Sequence, residues 1–145
     1  MSNVILLVED NATDEKLTLL AFKSSGVAND IVVARDGAAA LEHLHGPAGV
    51  MGRGLPSVVL LDLNLPKIDG LEVLRRIRAH ELTRFLPVVI LTSSKEEEDI
   101  LKSYSLGANA YIRKPVQFGL FAEAAKTVGL FWLLLNQPAP VGAGR

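Results

Sequence analysis

Four short apolar runs in this chain each end abruptly in a polar residue of a particular kind. Val4-Ile5-Leu6-Leu7-Val8 runs into Glu9-Asp10, and Val58-Val59-Leu60-Leu61 runs into Asp62. Val88-Val89-Ile90-Leu91 runs into Thr92, and Ala110-Tyr111-Ile112 runs past Arg113 into Lys114-Pro115. Continuous β-branched and leucine runs of this length suit strands of a parallel sheet covered on both faces. In open α/β sheets, ligands bind outside the carboxyl ends of the strands. The four ends therefore bring three carboxylates, a hydroxyl and an ammonium to one rim, a set that can hold a divalent cation and a phosphoryl group.

Helix-like segments alternate with these strands. Asp14 to Ser25 reads as a helix, with Leu17, Leu20 and Ala21 on one face and Gly26 as its stop. Ile31 to Ala34 is a second strand, and Gly37 to His45 a short helix carrying Ala40, Leu41 and Leu44. Gly46 to Pro56 is a long Gly/Pro-rich loop, open to mobility or a partner. Gly70 to Glu81, Lys95 to Leu106 and Phe118 to Leu135 complete the helices. Alternation at this spacing implies right-handed crossovers between parallel strands. The expected fold is a three-layer, doubly wound (βα)5 domain, flavodoxin-like, with a parallel five-stranded sheet of order 2-1-3-4-5. It occupies residues 1–136, and residues 137–145, with two prolines and two glycines, form a tail.

Composition narrows the function. A net charge of -1 gives no electrostatic case for nucleic acid or acidic membranes. The absence of cysteine excludes disulfides, thiolate catalysis and cysteine-zinc sites, and fits the cytoplasm. The N-terminus lacks the basic segment and hydrophobic stretch of a signal peptide, and no apolar run reaches the ~18 residues of a membrane span.

Each polar strand end also admits a plain structural reading. Glu9 and Asp10 repel one another, and with a third acid opposite they form a site that magnesium would relieve. They also suit a solvated acidic turn into a helix capped by Asn11 or Thr13. Asp62 has the rigid base and exposed tip of a nucleophile that attacks phosphorus, and also the position of a residue capping its own turn. Thr92 offers a hydroxyl to a phosphoryl oxygen, but threonine at a strand end is common. Lys114 is a compact point charge for a phosphoryl oxygen, or a solvated surface lysine. Tyr111 is a surface aromatic that reports on the site, or edge packing. His43 and His45 point to different faces of one helix and His80 ends another, so the histidines are not expected to form a metal cluster.

Taken together, Glu9-Asp10, Asp62, Thr92 and Lys114-Pro115 resemble the receiver domain of two-component response regulators. Val8-Glu9-Asp10-Asn11 resembles the family's acidic opening, and Leu61 to Gly70 its phosphoacceptor loop. Leu91-Thr92-Ser93 and Gly107 to Pro115 resemble the last two blocks, so the likeness spans about residues 3–130. It implies that Asp62 is phosphorylated by a sensor histidine kinase. It implies that Asp10, Asp62 and the backbone carbonyl of Asn64 bind Mg2+ (or Mn2+) directly, with Glu9 acting through water. Thr92 and Lys114 would bind the phosphoryl oxygens, and Thr92 and Tyr111 would move as the switch. Glu9 in place of the family's common Asp leaves its ligand geometry open. Such a protein is no enzyme beyond magnesium-dependent self-phosphorylation and autodephosphorylation.

With no output domain following, the expectation is a single-domain regulator that binds a partner or passes the phosphoryl group onward. In the last helix Val128 to Leu135 is apolar nearly all round, so Leu130, Phe131, Trp132 and Leu134 are candidate residues of a homodimer interface. The Phe131-Trp132 end, the Asn64-Leu65-Pro66-Lys67 loop and the long Gly/Pro loop resemble regulators paired with bacterial phytochromes. The rival enzyme is an aspartate-based phosphatase. That chemistry wants an acid two residues after the nucleophile, where this chain has Asn64.

Overall fold

The computed structural model describes residues 4–25, 30–47, 49–50, 52, 54–93, 96–114, 123 and 125–127. The apolar runs form the strands. They are β1 (Val4–Val8), β2 (Asp30–Ala34), β3 (Val58–Leu61), β4 (Val88–Thr92) and β5 (Ala110–Arg113). They pair in parallel in the order β2-β1-β3-β4-β5, as the alternation required. The helices are α1 (Ala12–Ser25), α2 (Gly37–His45), α3 (Gly70–Ala79) and α4 (Glu97–Ser105), and residues 123 and 125–127 are also helical.

Successive strand residues point to opposite faces, so each central strand feeds two cores. Leu6, Val8, Val59, Leu61, Val88 and Ile90 pack with Ala40 and Leu44 of α2 and Val73, Leu74 and Ile77 of α3. Ile5, Leu7, Val58, Leu60, Val89 and Leu91 pack with Ala21 and Phe22 of α1 and with Ala125. This explains why the runs are continuously apolar rather than alternating.

Two readings of the helices need correction. In α1 the buried face is Thr18, Ala21 and Phe22, while Leu17 and Leu20 are 40% and 45% exposed. Thr18 tolerates burial because its hydroxyl donates to the Asp14 carbonyl at 2.8 Å. Secondly, α3 stops at Ala79, two residues short of Glu81, because His80 is extended and the buried Thr83 hydroxyl donates to the Ile77 carbonyl at 2.7 Å. Two histidines also meet, as a stacked pair. The rings of His45 and His80 stack with centroids 4.0 Å apart as the ends of α2 and α3 converge. His45 Nε2 donates to the Thr83 hydroxyl at 3.0 Å, since that oxygen's proton is already given to Ile77.

Between α2 and β3, the described residues Val50 and Gly54 are tied together. Val50 is fully buried, and its amide donates to the Gly54 carbonyl at 2.9 Å. The fold back on itself puts Gly49 and Gly54 at φ of 66° and 80°, where a side chain is disfavoured.

Candidate functional site

The parallel ladders run past the strand ends and carry the polar residues into register. The Glu9 amide donates to the Ala34 carbonyl at 2.9 Å, and the Asp62 amide to the Val8 carbonyl at 3.1 Å. The Lys114 amide donates to the Thr92 carbonyl at 2.7 Å. Two caps fix the neighbouring helices. Asn11 Oδ1 accepts from the Asp14 amide at 2.9 Å at the start of α1, and Asp69 Oδ1 from the Glu72 amide at 2.9 Å at the start of α3. Gly70 opens α3 directly beneath the acid: a Cβ there would run into the Asp62 carbonyl.

Asp62, Thr92, Lys114, Glu9 and Asp10 come together as expected. Asp62 Oδ1 accepts from the Thr92 hydroxyl at 2.8 Å and from the Asn64 amide at 3.1 Å. Its Oδ2 accepts from the Lys114 ammonium at 3.2 Å. The same ammonium donates to Glu9 Oε1 at 2.7 Å and to Asp14 Oδ2 at 2.8 Å. Glu9, Asp62, Thr92 and Lys114 are buried and Asp10 is exposed, so the rim is open on the Asp10 side.

The electrostatics follow from this crowding. Burial, joined by the facing Asp62 carboxylate, pushes Glu9 up to about 7 in spite of Lys114. Burial also works against the Asp62 charge. The hydrogen bonds from Glu9, the Asn64 amide and Thr92, with the Lys114 charge, outweigh it and hold Asp62 below the usual carboxylate range. Lys114 loses solvation on burial, but Asp14 and Glu9 beside it raise its pKa above that of an ordinary lysine. Asp62 is thus ionised and oriented, as a nucleophile must be, while Glu9 can hold a proton in the absence of a cation.

Glu9, Asp10 and Asp62 each offer a carboxylate oxygen, and the three oxygens lie within 4.8 Å of one another. All are hard donors, and one faces solvent. That set fits Mg2+ or Mn2+, which need oxygen ligands and keep several waters.

Tyr111 is half-buried on β5, against the core on the α2 and α3 side. Asp14 was missed by the strand-end reasoning, although it closes the third bond of the Lys114 ammonium. Its only signal was position: it stands in the first turn of α1, just after the acidic pair that ends β1. Lys67, in the loop after Asp62, holds a strained φ of 67° that no pattern announced. The proposed interface residues Leu130, Phe131, Trp132 and Leu134, and Pro115, lie outside the described residues.

The profile of the response regulator receiver domain matches residues 5–126. The chain is 43% identical over 138 residues to a probable methanogenesis regulatory protein, FilR2, of Methanothrix harundinacea, covering 94% of this chain and 88% of FilR2. The phosphorylated cyanobacterial phytochrome response regulator RcpA superposes with a TM-score of 0.85 at 36% identity, covering 97% of this chain and all of RcpA. The Mn2+-bound form of response regulator Rcp1 superposes with a TM-score of 0.80 at 35% identity, covering 94% of this chain and 99% of that one. Rcp1 is from Synechocystis.

Proposed function

Because this chain belongs to the response regulator receiver family, we propose that it is a phosphorylation-switched signalling protein whose phosphoacceptor is Asp62. The observation that supports this most is the convergence of three donors from different elements on one carboxylate. The Thr92 hydroxyl, the Asn64 amide and the Lys114 ammonium all reach Asp62, at 2.8, 3.1 and 3.2 Å. A carboxylate already held ionised needs no base. An Asp62 oxygen attacks the phosphorus of a phosphohistidine on a sensor kinase. The P–N bond breaks, and the imidazole nitrogen keeps the electron pair. Asp10, Asp62 and the Asn64 carbonyl would hold magnesium, with Glu9 acting through water. A cation held there would offset the charge of the phosphoryl oxygens. Thr92 and Lys114, which already reach the Asp62 carboxylate, then donate to the phosphoryl oxygens that extend outward from it.

The added charge reorganises hydrogen bonds that in the resting state tie Thr92 to Asp62. Movement of Thr92 toward the phosphoryl group frees space that Tyr111 takes, and the face of α4 and β5 carries the change to a partner. Similarity to RcpA supports a phytochrome-class histidine kinase as the phosphoryl source. The same site carries out slow self-phosphorylation and autodephosphorylation in the cytoplasm, and the apolar sequence from Val128 to Leu135 supports homodimerisation.

Acetyl phosphate with magnesium is expected to add a single hydroxylamine-labile phosphoryl group, seen by intact mass. Asp62→Asn is expected to prevent it. Labelling that persists unchanged in Asp62→Asn places the acceptor elsewhere and ends this reading.

A further inference from the structure

We infer that Asp14 is a positioning residue for phosphoryl transfer, acting through Lys114 without touching the phosphoryl group. The inference rests on the phosphoacceptor reading of Asp62. An ammonium has three N–H donors. Those of Lys114 are all engaged, by Glu9 at 2.7 Å, Asp14 at 2.8 Å and Asp62 at 3.2 Å. A phosphoryl oxygen on Asp62 needs one of them, so one acceptor must let go.

Geometry selects which. Asp62 makes the longest of the three bonds, and the new oxygens arrive on its side. Glu9 and Asp62 also belong to the trio of acids that a cation draws together, so their oxygens have a second claimant. Asp14 does not belong to that trio. Its backbone is fixed at both ends in the first turn of α1, the amide donating to Asn11 at 2.9 Å and the carbonyl accepting from Thr18 at 2.8 Å. Asp14 therefore keeps hold of the ammonium while its other partners turn away, and aims the freed N–H at the phosphoryl oxygen.

Two effects of Asp14 oppose each other. Its charge partly neutralises Lys114, which weakens attraction to a phosphoryl oxygen. Its hydrogen bond fixes where the ammonium stands. The carboxylate is 33% exposed, so water screens the charge. The directional bond is kept, and small misplacements of a catalytic group are costly. Positioning wins, and removing the Asp14 carboxylate slows transfer.

The test compares wild type, Asp14→Ala, Asp14→Asn, Lys114→Met and Asp14→Ala/Lys114→Met. Initial rates of acetyl phosphate labelling are measured at saturating magnesium, and affinity for magnesium alone by calorimetry. Asp14→Ala, which removes the acceptor, is expected to lower the maximal rate about tenfold while magnesium affinity stays within about twofold. Asp14→Asn, which keeps an oxygen acceptor without the charge, recovers most of the rate, and Asp14→Ala has no further effect on a Lys114→Met background. Labelling of Asp14→Ala at the wild-type rate, or an equal loss with and without Lys114, overturns the inference while leaving Asp62 as acceptor. Wild type that takes no label overturns the phosphoacceptor reading and the inference with it.

Discussion

Replacing Lys114 by methionine keeps a four-atom unbranched stem and removes the ammonium that three acids share. Lys114 is 6% exposed, and its partners Glu9 and Asp62 are 1% and 7% exposed. Deleting one partner of a buried ion pair costs about 3–5 kcal/mol, because the other charge is left without compensation. The low end applies here for two reasons. Glu9, already raised to about 7, can take up a proton instead of remaining an orphan anion. Asp14, at 33% exposure, can turn to water. The expected loss is about 3 kcal/mol near neutral pH, or roughly 10 °C in Tm for a chain of this length.

The sign reverses for magnesium. The acids left behind carry one more uncompensated negative charge, so a divalent cation binds them more tightly and stabilises the fold by more than it does in wild type. The assay is thermal unfolding followed by far-UV circular dichroism, in chelator and at saturating magnesium. The gap between Lys114→Met and wild type should be roughly 10 °C in chelator and clearly smaller with the cation. Equal Tm values in chelator, or a gap indifferent to magnesium, would show that the ammonium does not balance the acidic rim.

Two further outcomes follow from the opposite end of the sheet. The Arg78 guanidinium donates to the carbonyls of Gly107, Thr83 and Leu86 and to Asn109 Oδ1, at 2.7 to 3.3 Å. Arg78→Met strips the guanidinium from the Gly107 and Leu86 carbonyls, while Asn109 Oδ1 keeps the Val88 amide and the Thr83 carbonyl keeps the Leu86 amide, and should cost about 3 kcal/mol in urea unfolding. Arg78→Lys, lacking the planar fork, should recover little of it, and full recovery would refute the bracket. Burial, with His80 beside it, lowers the His45 pKa. A depressed pKa means that stability is present above the unfolded value near 6.5 and is lost as pH falls through the folded value. Glu9 works in the opposite sense, since a raised carboxyl stabilises the fold as pH falls through about 7. The diagnostic quantity is therefore the difference between wild type and His45→Gln. It should shrink from neutral pH to acid, and a pH-independent difference would reject the half-buried neutral imidazole.

Strand-borne chemistry was legible in the sequence and helix-borne chemistry was not, and the reason is geometric. A parallel strand buried on both faces has one register, and its end is marked where the apolar run stops. The ladder bonds of Glu9 to Ala34, Asp62 to Val8 and Lys114 to Thr92 carry that register straight into the rim. Polar residues at four run ends therefore had to meet, however the helices packed. A helical residue has two further freedoms, the rotation of the helix and its depth on the sheet, and both are set by tertiary packing. Leu17 and Leu20 were read as the inner face of α1 because apolar periodicity cannot see that Thr18 satisfies its own hydroxyl within the helix. The same rotation that exposes them turns Asp14 toward Lys114. His45 and His80 likewise meet only after α2 and α3 have docked. In a fold of this kind the pattern of strand ends identifies the acceptor and its direct donors, while residues that adjust those donors stand on the helices, where only packing brings them into reach.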